Sequence, residues 1–148
     1  IGSQGGFLAG SRLLVDWIRN TARTQMFSTA LTPGACGAAR ESIRIISDEP
    51  RRRERVRNLA THLRELLLAA GWTIPGNPDS PIIPILTGTP ERAVQLSSQL
   101  LEHGFFVPAI RPPTVPKGTS RLRISLTASH TDDQIDAFVS VLSRQDKR

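Results

Sequence analysis

The chain has no tyrosine, one methionine and one cysteine, and aromatic residues make up only 5% of its 148 residues. The single thiol, Cys36, cannot close an internal disulfide, and no second thiol stands near it to build a zinc knuckle or a redox pair. A reducing cytoplasm is the compartment expected from such cysteine usage. His62, His103 and His130 lie far apart with no partner four residues away, so no metal site is expected. The longest wholly apolar run, Leu66 to Ala70, falls far short of the roughly 20 residues that a bilayer-spanning helix needs. No basic start leads into an apolar signal core, and no membrane partner is expected. The chain opens Ile1-Gly2-Ser3 and its only methionine is Met26, which gives the expectation of a chain cut from something longer.

What is present is ordinary for a folded domain: 39% hydrophobic and 22% charged residues, with 19 Lys and Arg against 13 Asp and Glu for a net charge of +6. Disorder, collagen and coiled coil are excluded on composition. The run Arg51-Arg52-Arg53-Glu54-Arg55-Val56-Arg57 has the charge density that draws phosphates. No aromatic interleaves it to stack a base, so it reads as the solvated face of a helix and no nucleic-acid partner is expected.

Hydrophobic spacing sets the elements. Leu14, Trp17, Ile18 and Thr21 recur at helical period after Ser11 and predict an amphipathic helix that buries one face. Thr32-Pro33 is a cap followed by proline at the first helical position, opening a second helix through Ala35, Ala39, Ile43 and Ile46. Pro50 restarts the pattern, and Val56, Leu59, Leu63, Leu66 and Leu67 mark a third helix stopped by Gly71. Beyond it, Trp72 to Ile74 and Ile82 to Leu86 predict two strands, and Thr89-Pro90-Glu91 caps a helix that ends at Gly104. Phe105 to Ile110 and the alternating Arg121 to Leu126 predict two more strands, and Thr131 with Gln134 is a capping box for the last helix. The order is an α+β layer: three helices, then an open sheet that helices cover on one face.

Two places carry polar chemistry. Pro112, Pro113 and Pro116 stiffen a loop that presents Arg111 and Thr114, and Arg121 and Arg123 follow on one face of a strand, opposite Leu122 and Ile124. If the apolar pair faces the core, the arginines are either solvated or meet an anion such as a carboxylate, which a guanidinium matches bidentately. Ser28 and Thr29 lie just before the cap Thr32-Pro33, near a helix N-terminus that favours phosphate. The glycines at positions 2, 5 and 6 lack the spacing and lysine of a phosphate loop, and read as tight backbone packing. No acid–base dyad or nucleophile elbow is found, so no catalytic residue is expected from these side chains alone.

The stretch Arg111-Pro112-Pro113-Thr114-Val115-Pro116-Lys117-Gly118-Thr119-Ser120-Arg121-Leu122-Arg123-Ile124-Ser125-Leu126 resembles the C-terminal part of the α-oxoamine synthases. Within that family it looks most like the 8-amino-7-oxononanoate synthases. The likeness continues through Gly5-Gly6-Phe7, Arg19 to Arg23, Phe27 to Pro33 and Thr127 to Thr131.

The resemblance implies a fold type I pyridoxal 5'-phosphate (PLP) enzyme. It would be a homodimer that condenses L-alanine with pimeloyl-CoA in biotin synthesis, releasing CO2 and CoA. It implies that positions 1–47 are the end of the large cofactor domain with linking helices, and that 48–148 are the C-terminal small domain, whose open sheet is mostly antiparallel. It implies that Ser28 and Thr29 reach the cofactor phosphate of the neighbouring subunit, that Arg123 fixes the amino-acid carboxylate, and that Thr114 and Arg111 contact substrate, Arg111 on the pimeloyl-CoA side. The cofactor lysine would fall immediately before Ile1, and neither Lys117 nor Lys147 replaces it, so the chain alone is expected to be inactive. A glycine-using relative such as 2-amino-3-oxobutyrate CoA ligase, and a non-catalytic small-molecule-binding module, are the competing readings.

Overall fold

The computed structural model describes residues 2–145. Its internal contacts divide the chain into two units, Ile1–Pro50 and Arg51–Arg148.

The first unit holds three helices: α1 (Arg12–Thr21), α2 (Arg23–Phe27) and α3 (Pro33–Asp48). Ser11 caps α1 by accepting the Leu14 N–H, and Thr32 caps α3 by accepting the Ala35 N–H. The glycine-rich opening lies against this helix, where the Ser3 hydroxyl donates to Ala35 O at 2.7 Å. At Gly5, φ of +103° demands glycine, and an added Cβ would also push aside the tip of the Leu31 side chain, whose Cδ1 would lie 2.7 Å from it. One expectation fails here. The α1 stripe is not buried: Trp17 is 66% exposed, and no residue of α1, α2 or α3 is buried. Amphipathic spacing shows that a face needs cover without showing what covers it.

The second unit has a true core. Helix α4 (Pro50–Ala69) is followed by β1 (Ile82–Gly88), α5 (Pro90–Glu102), β2 (Ala109–Ile110), β3 (Ser120–Ser125) and α6 (Asp132–Gln145). The strands form an antiparallel sheet in the order β1-β3-β2. One face of the sheet, Ile83 and Ile85 with Leu122 and Ile124, packs into a single cluster with Leu59, Leu63 and Leu67 of α4, Leu96 and Leu100 of α5, and Ile135, Phe138 and Leu142 of α6. Phe105 meets Phe138 edge to face at 5.5 Å. Gly71 and Gly104, both at positive φ, terminate α4 and α5. In each case the following residue donates back five positions, Trp72 to Leu67 O and Phe105 to Leu100 O. The capping box forms as the spacing predicts, Gln134 N–H to Thr131 Oγ1 and Thr131 N–H to Gln134 Oε1.

Two predicted strands shrink or vanish, each because of a proline. Of Phe105 to Ile110 only Ala109 and Ile110 pair with β3. Pro108 accepts the Arg123 N–H at 3.0 Å but has no N–H to return, and the Val107 carbonyl is taken by the Ser97 hydroxyl of α5 at 2.6 Å. Trp72 to Ile74 makes one sheet-like bond, Leu86 N–H to Thr73 O, and then meets Pro75, so no ladder forms. Helix α2 was not foreseen, since five residues are too few to show a period.

Candidate functional site

The alternation of β3 resolves as its sequence demands. Leu122 is fully buried and Ile124 nearly so, while Arg121 is half-buried and Arg123 exposed on the opposite, outer face. Arg121 is tied locally, its Nε donating to Thr119 O at 3.0 Å. Among the described residues, the Arg123 guanidinium has neither a hydrogen-bond partner nor a carboxylate within ion-pair distance. Its register partner on β1 is Pro84 and that of Arg121 is Leu86, so the cations project from a surface otherwise built of apolar side chains. A guanidinium held on a strand, unpaired and bordered by apolar surface, is suited to a carboxylate brought in by a ligand.

Arg111 follows β2 directly, where Ile110 pairs with Arg121. It stands one residue beyond the last paired position of the ladder. Thr114 closes a turn on it, donating its N–H to Arg111 O at 3.0 Å. The loop is fastened again at its far end, where the Thr119 N–H and hydroxyl both donate to Pro116 O at 3.2 and 2.8 Å. The Arg111 and Thr114 side chains are exposed. The second unit thus places Arg123 on the sheet, and Arg111 and Thr114 on the loop that joins β2 to β3. None of the three lines the cavity of about 280 Å³ that is walled by Leu126, His130, Ile135 and Phe138 among others.

Ser28 and Thr29 belong to the first unit. Ser28 caps the C-terminus of α2, and both hydroxyls are exposed and without a partner among the described residues. With Gly6, Ile18, Ala22 and Cys36 they border an open hollow of about 690 Å³. Two free hydroxyls three or four residues before the N-cap of a long helix are a donor set that fits an oxyanion such as phosphate.

Side-chain pairs elsewhere are structural. The Arg55 guanidinium bonds Asp132 at 2.7 Å and holds its carboxyl below the usual carboxylate range, and His62 Nε2 meets Asp136 at 3.1 Å, so α4 is tied twice to α6. Arg44 bonds Glu41 and Asp48 along α3, which lowers the Glu41 carboxyl. Among the described residues no group of three or more His, Cys, Asp or Glu could hold a metal ion, and no helix is long and apolar enough to cross a membrane. The sequence reading missed the neighbours of Arg123. Pro84 lies 39 residues away in the chain, and no local pattern announces that pairing.

Comparison with known proteins places these features in a family. The family model for aminotransferase class I and II matches residues 1–142. The 8-amino-7-oxononanoate synthase of Lysinibacillus sphaericus is 44% identical over 144 residues, 97% of this chain and 37% of that protein. The one from Anaeromyxobacter dehalogenans is 43% identical over 143 residues, 97% of this chain and 36% of that protein. Among solved structures, Sphingomonas wittichii serine palmitoyltransferase superposes with a TM-score of 0.89 at 28% identity, covering 99% of this chain and 37% of that one. A high-resolution structure of SPT with its PLP internal aldimine superposes at 0.91 and 30% identity, covering 99% of this chain and 37% of that one. The 8-amino-7-oxononanoate synthase of Francisella tularensis superposes at 0.79 and 26% identity, covering 93% and 40%. The chain spans a little over a third of the length of the curated relatives it matches. Its structural neighbours are fold type I PLP enzymes, as the resemblance implied. Over residues 1–142, from the glycine-rich opening into α6, this chain belongs to the aminotransferase class I and II family.

Proposed function

We propose that this chain is the C-terminal part of a PLP-dependent acyltransferase that condenses L-alanine with pimeloyl-CoA to 8-amino-7-oxononanoate, CoA and CO2. Positions 1–47 would be the end of the large cofactor domain and 48–148 the small domain of a cytoplasmic homodimer. The observation that carries the reading is Arg123. An unpaired guanidinium stands on the outer face of a strand whose alternate residues are buried, in a chain 44% identical to a synthase of this name.

Each residue has a task within that reaction. Arg123 receives the alanine carboxylate in a two-pronged ion pair and so fixes which bond at the α-carbon stands ready to break. Thr114, held by its turn onto Arg111, offers a hydroxyl to substrate, and Arg111 offers charge to the acyl-CoA side. Ser28 and Thr29 donate to the cofactor phosphate across the subunit interface, and their free hydroxyls fit that anion. Bound PLP supplies an electron sink for the negative charge that develops at the α-carbon. The Schiff-base lysine is assigned to the part of the enzyme preceding Ile1, which leaves this chain substrate-holding and inactive by itself.

The test is steady-state kinetics on the full-length protein with L-alanine and pimeloyl-CoA. Product and CoA are expected to form in equal amounts, and Arg123→Ala is expected to raise the KM for alanine about a hundredfold, the worth of a charge-assisted bidentate contact, with far less effect on the KM for pimeloyl-CoA. A variant that loses pimeloyl-CoA instead of alanine removes the carboxylate assignment. Turnover with glycine and a short acyl-CoA in place of this pair would move the protein to the 2-amino-3-oxobutyrate CoA ligase branch.

A further inference from the structure

Arg123 is flanked by prolines on both sides. Its N–H donates to Pro108 O at 3.0 Å, so the polar backbone groups of Arg123 face β2. Toward β1 it therefore makes the narrow kind of antiparallel pair, without hydrogen bonds, in which Cα atoms come to about 4.5 Å and side chains on one face are closest. The partner in that pair is Pro84. The ring is placed without cost to the ladder. Leu86, two residues on, sends its N–H outward to Thr73 O, so the N–H that Pro84 lacks would have pointed to the open edge of β1.

Behind Pro84 stands a braced turn. Gly76, at φ of +102°, lies beside Pro84: an added Cβ would stand 4.0 Å from Pro84 Cγ, an ordinary contact distance. The turn is fastened by Arg64 of α4, whose Nη2 donates to both Asn77 O at 3.0 Å and Ser80 O at 2.9 Å. Burial in this position disfavours the charged form of Arg64, a cost accepted in the fastening.

We infer that Pro84 is a positioning residue for the Arg123 guanidinium: its ring, backed by the turn at 76–80, walls one side of the Arg123 stem and restricts the conformations from which the guanidinium meets a carboxylate. A ring has no rotamers of its own to sweep that space, whereas an open-chain residue would. The inference rests on the reading of Arg123 as the substrate clamp.

The experiment is L-alanine binding by calorimetry, and KM values for both substrates, on the full-length holoenzyme and its variants. Pro84→Ala and Pro84→Ser remove the wall, and are expected to weaken alanine binding about fivefold while leaving the KM for pimeloyl-CoA within about twofold, as for two coupled neighbours. Having both variants keeps the question answerable should one fold poorly, as judged by Tm. Pro84→Val keeps a stiff, branched side chain at the same register and is expected to bind within about twofold of wild type. In an Arg123→Ala background, Pro84→Ala is expected to add nothing.

Normal alanine binding in Pro84→Ala and Pro84→Ser, beside a large loss in Arg123→Ala, overturns the role of Pro84 and leaves the clamp standing. A loss of the same size with and without the Arg123 side chain, or a Val variant as weak as Ala, reduces Pro84 to general strand packing and also overturns it. If Arg123→Ala itself binds alanine normally, the clamp falls and the positioning role with it.

Discussion

Ser28 and Thr29 are two residues whose surroundings, not their sequence, set what they can bind. In sequence they are two hydroxyls in a turn, and hydroxyls in turns usually bond their own backbone. Here neither does so among the described residues, although Ser11 and Thr32 nearby both cap helices in the usual way. Hydroxyls left free beside a helix start are available to an anion from outside. Replacing both by Ala in the full-length enzyme is therefore expected to speed loss of cofactor on dialysis, by about a hundredfold if each contributes one hydrogen bond of about 1.5 kcal/mol to a charged group. Absorbance of retained cofactor after equal dialysis is the readout, and equal retention in mutant and wild type would detach these residues from the phosphate. Arg123 was legible for a different reason: strict alternation with Leu122 and Ile124 assigns its face from sequence alone, but whether an acidic side chain neutralises it is a question of tertiary pairing that spacing cannot answer.

At the scale of elements, caps and stops were the readable signals because they are local. Thr32-Pro33, Thr89-Pro90, Gly71, Gly104 and the Thr131–Gln134 box all act within one or two turns of the helix they define. Strands were less readable because a strand exists only by its partners. Pro108 and Pro75 delete the N–H groups that would have made ladders from β-prone residues, and the Val107 carbonyl went to Ser97 instead. Packing between elements also carries a pH signature. Arg55 of α4 bonds Asp132 of α6 and depresses its carboxyl, so the ionised form is favoured in the folded state. A depressed folded value means that the contribution to stability is present above the unfolded carboxylate range, about pH 4, and fades as pH falls through the lower folded value. Asp132→Asn is accordingly expected to lower Tm at pH 7 by a degree or two, about what an exposed pair yields in a domain of this size. Once the pH has fallen through that lower folded value, the difference between mutant and wild type should close. A difference that persists unchanged at low pH would trace the loss to capping or packing and not to the charge.

For the whole molecule, the decisive contrast is between a unit with a core and a unit without one. Residues from Arg51 onward bury Leu63, Leu67, Ile85, Leu100, Leu122 and Leu142 completely around a three-stranded sheet, enough apolar surface to offset the chain entropy of a domain near 100 residues. Among the described residues up to Pro50 none is buried, and Phe7, Trp17 and Phe27 are each more than 60% exposed. Helices with one apolar face draw most of their stability from the cover of that face, and large apolar side chains left this exposed call for such cover. Under the proposed function the cover is the rest of the large domain and the second subunit of the homodimer. The consequence is testable on fragments. Residues 51–148 are expected to unfold in urea as one cooperative transition, with a β and α signal in circular dichroism. Residues 1–50 are expected to show little helix in isolation and to gain it only in trifluoroethanol. A cooperative, helical 1–50 would mean that its three helices find each other without further cover. A non-cooperative 51–148 would mean that its apparent core depends on chain outside it, and that the substrate-holding face around Arg123 takes shape only in the assembled enzyme.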